Sequence, residues 1–232
     1  MTITKDTLFI SDTHFYHKNI TKFEPSRVEI LKKNGYENQE QMLMANWNKR
    51  CSQEQLIIHL GDFFYGKKEN LSDVKHLNGH KFLLKGNHDN YSDEVYESLG
   101  FALIKDIVLD EELKSNKKLL LLIKEFHELE HSNLLIFSYG GLRFLVSHFQ
   151  MTNTSKYDQQ FSEQIRLLKE IFNEAKCDYN LHGHTHSNMM DDKRCINLSV
   201  ENIGFKPISL EEIIDSKIKR EKSEISTNNK MG

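Results

Sequence analysis

The chain has 232 residues, enough for one large α/β domain or two small ones around a substantial core. Its 38% hydrophobic, 28% charged and 10% aromatic side chains are those of a globular protein and exclude collagen-like, coiled-coil and wholly disordered classes. A formal net charge of −3 gives no global pull toward nucleic acid or an anionic membrane. The longest apolar run is Leu119 to Ile123, against the roughly 18 residues of a spanning helix. Lys5 and Asp6 stand where a secretory signal would be apolar, so residence in the cytoplasm is expected. Cys51, Cys177 and Cys195 lie far apart without a C-x-x-C pair, which predicts reduced, buried thiols rather than a disulfide framework or zinc ribbon.

Leu8-Phe9-Ile10 is a short apolar run ending in Ser11-Asp12-Thr13-His14, as a buried strand that delivers polar side chains at its C-terminal end would. Met44, Trp47 and Cys51 recur at helical spacing behind Asn38, which predicts a capped helix. Leu56 to Leu60 reads as a second strand stopped by Gly61-Asp62, and Lys81 to Lys85 as a third ending at Gly86-Asn87-His88-Asp89. The leucine-rich stretch 119–129 fits a helix or a hairpin, and a helical insertion near 110–132 is the reading adopted. Leu142 to Val146 then forms a strand leading to Ser147-His148, and Phe161, Ile165, Leu168, Phe172 and Ala175 mark one face of an amphipathic helix. Tyr179 to Leu181 is a strand running into His182-Gly183-His184-Thr185-His186. A strand from Cys195 to Val200 and a helix from Ser209 close a single domain over 1–220, with 221–232 as a frayed tail.

Strands alternating with helices indicate an α/β sheet layered with helices, and open sheets of that kind build sites at the carboxyl ends of their strands. Twelve histidines are present, and several cluster there. Asp12, His14, Asp62, Asn87, His148, His184 and His186 supply oxygen and imidazole donors from five strand ends, with no thiolate among them. Such a set suits two hard or borderline divalent cations about 3.5–4 Å apart, with Asp62 as the bridging carboxylate. Asp12 and His14, like His184 and His186, are two residues apart and would share a face on extended strand. Taken singly each motif has a plain structural reading, such as a turn, a core histidine or an adventitious tract; their joint occurrence in order, each behind an apolar strand, carries the inference.

Ser11-Asp12-Thr13-His14, Gly61-Asp62, Gly86-Asn87-His88-Asp89, Ser147-His148 and Gly183-His184-Thr185-His186 resemble the five ordered motifs of the calcineurin-like metallophosphoesterase superfamily, over about residues 8 to 210. Phe15 to Ile20 and Ser199 to Ile203 are similar to a subgroup of small bacterial and phage phosphoesterases. The resemblance implies a four-layer αββα sandwich of two mixed β-sheets flanked by helices. It also implies Asp12, His14 and His186 on a first metal, Asn87, His148 and His184 on a second, and Asp62 between them. His88 would be the catalytic histidine and Asp89 the residue that orients it. The implied reaction is direct hydrolysis by a hydroxide bridging the ions, with manganese as first choice and iron, zinc, nickel or magnesium as alternatives.

Gly61 to Gly66 lacks the acidic-arginine pair of the Ser/Thr protein phosphatases, so a protein substrate is disfavoured and a small phosphorylated or nucleotide-type molecule expected. His17, Asn19 and Arg27 follow the first motif and are candidates for contacting its phosphate. Two other functions compete. A nuclease would add a capping domain and a basic surface for which this chain has little room. A non-catalytic scaffold would be expected to lose ligands that here are all present.

Overall fold

The computed structural model describes residues 1–152, 156–188 and 190–219; the expected tail at 221–232 lies outside them. Among the described residues ten strands form two five-stranded sheets. In spatial order the first holds β10 (Ile208–Ser209), β1 (Leu8–Ile10), β2 (Leu56–His59), β3 (His80–Leu83) and β4 (Phe101–Leu103). Only the β1–β10 pair is antiparallel there. The second holds β5 (Asp106–Val108), β6 (Leu134–Tyr139), β7 (Leu142–Ser147), β8 (Tyr179–His182) and β9 (Cys195–Asn197), with β6 and β7 as its antiparallel hairpin.

The helices are α1 (Ile20–Phe23), α2 (Pro25–Asn34), α3 (Gln39–Arg50), α4 (Leu71–Val74), α5 (Asp93–Ser98), α6 (Lys117–His127), α7 (Ser162–Glu174) and α8 (Leu210–Ile213). Asn38 caps α3 by accepting from the Gln41 N–H at 2.9 Å, and Ser209 with Glu212 forms a capping box on α8. Alternation along β6 builds the layers. Leu135 and Phe137 belong to the core shared with β1 and β2, whereas Leu134 and Ile136 pack with Leu119 and Phe126 of α6 and Leu168 and Ile171 of α7. Phe9 and Phe137 stack across the two sheets with ring centroids 6.3 Å apart. The result is the expected sandwich, two mixed sheets face to face with helices outside.

Four strands went unread in the sequence. β4, β5 and β10 have three residues or fewer, too short to show alternation, and β6 follows the leucine-rich stretch that fits a helix or a hairpin. The strand read from Cys195 to Val200 ends at Asn197, because the Asn197 side chain accepts from the Ser199 N–H (2.9 Å) and turns the chain into a short 3₁₀ segment at Val200–Asn202. That turn brings the sheets together: Ser11, just past β1, bridges Ser199, just past β9.

Candidate metal centre

Every motif sits at or just past a strand end, and three of the five use backbone that a strand cannot supply. Asp12, His14, Asp62, His184 and His186 all have left-handed φ values, between 46° and 67°. Such strain in non-glycine residues persists only where surrounding contacts over-determine it. The convergence of Asp12 with His14 therefore comes from these turns and not from the strand alternation the spacing suggested, and His184 and His186 turn to different neighbours, Asn87 and His14. Main-chain bonds hold the turns in register: the Asp12 and His14 amides donate to the Gly61 and Asp62 carbonyls, each at 3.0 Å. Close approach fixes the glycines, since a Cβ on Gly61 would stand 2.6 Å from the Gly86 nitrogen and 2.7 Å from the His148 ring.

The side chains meet in one buried cluster. Ligand atoms of Asp12, His14 and His186 lie within 4.8 Å of one another, as do those of Asp12, Asp62 and His148. Asp62 stands in the middle, one oxygen 3.3 Å from His14 Nε2 and the other 3.5 Å from His148 Nε2. Asn87 Oδ1 lies 3.0 Å from both His148 Nε2 and His184 Nδ1. His148 Nδ1 lies 2.9 Å from the Leu60 carbonyl, which can only accept, so Nδ1 carries a proton while Nε2 faces Asn87 and Asp62. Carboxylates and imidazoles converging at this range, together with a buried His14 Nδ1 that has no hydrogen-bond partner, make a cluster that fits a cation.

The charges are mutually dependent. Burial pushes the Asp12 and Asp62 carboxyls up, but neighbouring imidazoles, His186 for Asp12 and His148 for Asp62, outweigh it and hold both below the usual range. Burial pushes His14 and His184 down, and His17 down to about 4. His186 is the exception: burial lowers it, but Glu201 and Asp12 raise it to about 9.

Two carboxylates absent from the sequence-based candidates complete the surroundings. Glu201 Oε1 lies 3.4 Å from His186 Nδ1, and Asp158 Oδ1 lies 3.3 Å from His184 Nε2, both carboxylates being 3% exposed or less. Such partners fix the orientation of a ligating ring. Glu201 falls in the Ser199 to Ile203 segment already singled out, whereas no local pattern marks Asp158. Ser199 Oγ donates to Asp12 Oδ2 (2.9 Å), and the His184 amide donates to both Asp12 oxygens at 3.1 and 3.0 Å.

Two expected roles change. Arg27, a candidate phosphate contact, is 0% exposed. Its guanidinium pairs with Glu201 and donates to the Asp12 carbonyl (2.7 Å), the Thr13 carbonyl (3.1 Å) and Gln39 (2.7 Å), so it braces the first motif from beneath and has no donor left to face a substrate. Asp89 does not orient His88. Its carboxylate accepts from the amides of Asp62 (2.7 Å), Phe63 (3.0 Å) and Gly86 (2.9 Å) and from the Tyr96 hydroxyl (3.2 Å), tying the second motif to the third. Burial and the Asp62 charge raise it to about 6. His88 is half-buried; its amide donates to Asp62 Oδ1 (2.9 Å) and its ring lies 5.4 Å from that of His14. His17, 5.4 Å from the His14 ring, and exposed Asn19 border a cavity of about 750 Å³ beside the first motif.

The chain is 27% identical over 218 residues to the uncharacterized protein MJ1445 of Methanocaldococcus jannaschii, covering 88% of this chain and 87% of that one. A solved structure of a protein of unknown function, AQ665 from Aquifex aeolicus, superposes with a TM-score of 0.64 at 28% identity, over 90% of this chain and 97% of that one. Residues 6–188, which carry all five motifs, match the model of the calcineurin-like phosphoesterases, and the chain belongs to that family.

Proposed function

We propose that the protein hydrolyses an ester of a small phosphorylated or nucleotide-type molecule with two divalent cations, Asp12, His14 and His186 holding one, Asn87, His148 and His184 the other, and Asp62 shared. The convergence of ligand atoms from Asp12, His14 and His186, and from Asp12, Asp62 and His148, each set within 4.8 Å, carries this reading, because a buried set of carboxylates and imidazoles at that range is what a divalent cation binds. Oxygen and imidazole donors without thiolate make manganese the first metal to try. Bound there, the cations supply Lewis acidity toward phosphoryl oxygens and acidify water. This chain's residues do the rest. Glu201 and Asp158 aim the His186 and His184 rings, Asp89 fixes the loop that carries Asp62, and half-buried His88 is the general acid toward the leaving oxygen. Three unpaired buried cysteines fit a reducing compartment such as the cytoplasm.

The test is hydrolysis of p-nitrophenyl phosphate and bis-p-nitrophenyl phosphate by chelator-stripped protein titrated with Mn²⁺. Metal-dependent turnover is expected, and the preferred ester decides between diester and monoester chemistry. No turnover of either, with no metal retained by the protein, would overturn the reading.

A further inference from the structure

Among the described residues, three aromatic side chains are exposed, Phe23 at 69%, Tyr65 at 46% and Tyr157 at 53%, and each is in ring contact with a histidine of the centre or its rim. Phe23 stacks on His17 at 6.2 Å and 18°. Tyr65 meets His17 edge-on at 4.3 Å and His88 at 5.5 Å. Tyr157 stacks on His184 at 5.8 Å and 26°. The two groups stand on different neighbours of the cluster: His17 adjoins His14, whereas His184 adjoins Asn87 and His148.

Exposed aromatic faces beside two parts of a phosphoester-cleaving centre call for a substrate with a flat ring on each side of phosphorus. The cavity beside His17 and Tyr65, about 750 Å³, has room for a nucleoside. Its charged lining mixes Lys18 and Lys67 with Glu37, Glu40 and Glu69, whereas a groove that tracks a long polyanion is lined by cations. We infer that the substrate is a short phosphodiester joining two nucleosides, one base held by Phe23 and Tyr65 and the other by Tyr157, an inference that rests on the phosphoesterase reading above. In the reaction, a water oxygen bonds to phosphorus and one ester P–O bond breaks with its electron pair staying on the leaving nucleoside oxygen. That oxygen takes up a proton, the water releases its own, and the products are a nucleoside and a nucleotide.

The experiment compares kcat/KM, with Mn²⁺, for adenylyl-(3′→5′)-adenosine and for the methyl ester of adenosine 5′-monophosphate, a diester with one base. The unsubstituted protein should prefer the dinucleotide by about ten-fold or more, the scale of one stacked base. Phe23→Ala and Tyr157→Ala should each collapse that preference through KM, with bound-metal stoichiometry unchanged. A dinucleotide cleaved no better than the methyl ester, or a preference that survives both substitutions, would overturn the inference while leaving a working phosphoesterase. Failure to hydrolyse either diester or bis-p-nitrophenyl phosphate would instead take down the underlying function, and the inference with it.

Discussion

At the residue scale, the centre is set by backbone turns more than by side-chain reach. Five of the seven clustered residues have left-handed φ, and each strained turn is pinned by buried partners, such as the Arg27 guanidinium under Asp12 and Thr13. Gly183 is part of this fit. A Cβ there would meet the Ser11 side chain and the Asp12 carboxylate, its distance to Ser11 Cβ being 2.8 Å. Gly183→Ala should therefore displace Asp12 and raise the Mn²⁺ concentration for half-maximal activity by about 10–100-fold, the scale of a disturbed ligand environment. An unchanged metal midpoint would show that Asp12 tolerates the shift. Asp62→Asn keeps the shape but removes the charge between His14 and His148, so turnover should fall by orders of magnitude while the circular-dichroism melting curve stays cooperative. Near-native rates with excess metal would exclude Asp62 from the chemistry. That the five motifs come together was legible because each follows an apolar run. The roles of Arg27 and Asp89 were not, because one charged residue in a sequence looks the same whether its partner is substrate, solvent or a buried carbonyl.

At the element scale, the loops after β2 and β3 are held as a pair by one carboxylate. Asp89 accepts from amides on both sides, and alanine would leave those N–H groups buried and unpaired. Each such group costs about 1–3 kcal/mol, so Asp89→Ala should lose at least ~3 kcal/mol of unfolding free energy in urea, together with activity. A loss of activity at full stability would return Asp89 to a role in the chemistry. The elements read correctly from sequence are those with a strong local signal: α3 behind its Asn38 cap, α7 with its 3.6-residue stripe, and β1, β2 and β3 ending in polar clusters. β4 and β5 escaped because three-residue strands show too little alternation to separate from loop, and their pairing with β3 and β6 is a non-local fact. The helix expected near 110–132 is present as α6, packed beside α7.

At the scale of the whole molecule, the site lies where two sheets are joined, so its integrity and the fold's should be hard to separate. The Phe9–Phe137 stack, the Ser11–Ser199 bridge and the bonds from the His184 amide to Asp12 all cross from one sheet to the other. The cysteines offer a readout of that coupling. Cys51 lies in the core around the first sheet, and Cys177 and Cys195 lie in the cluster between the second sheet and its helices. Burial pushes the three thiols up, to about 11 for Cys51 and Cys195 and about 12 for Cys177. A raised thiol pKa lowers the thiolate fraction at any pH beneath it; at pH 8 about one thiol in a thousand, or fewer, is the reactive anion, and packing shields even that. The native protein should therefore be nearly inert to a disulfide reagent such as DTNB at pH 8. As urea is raised, all three thiols should become reactive over one transition coincident with loss of circular dichroism, because the shared core leaves neither sheet a stable partner alone. Exposure of Cys177 and Cys195 at lower urea than Cys51, resolved with single-cysteine variants, would show that the second sheet opens first. The centre would then be lost as the second sheet and its helices open, while the first sheet is still folded.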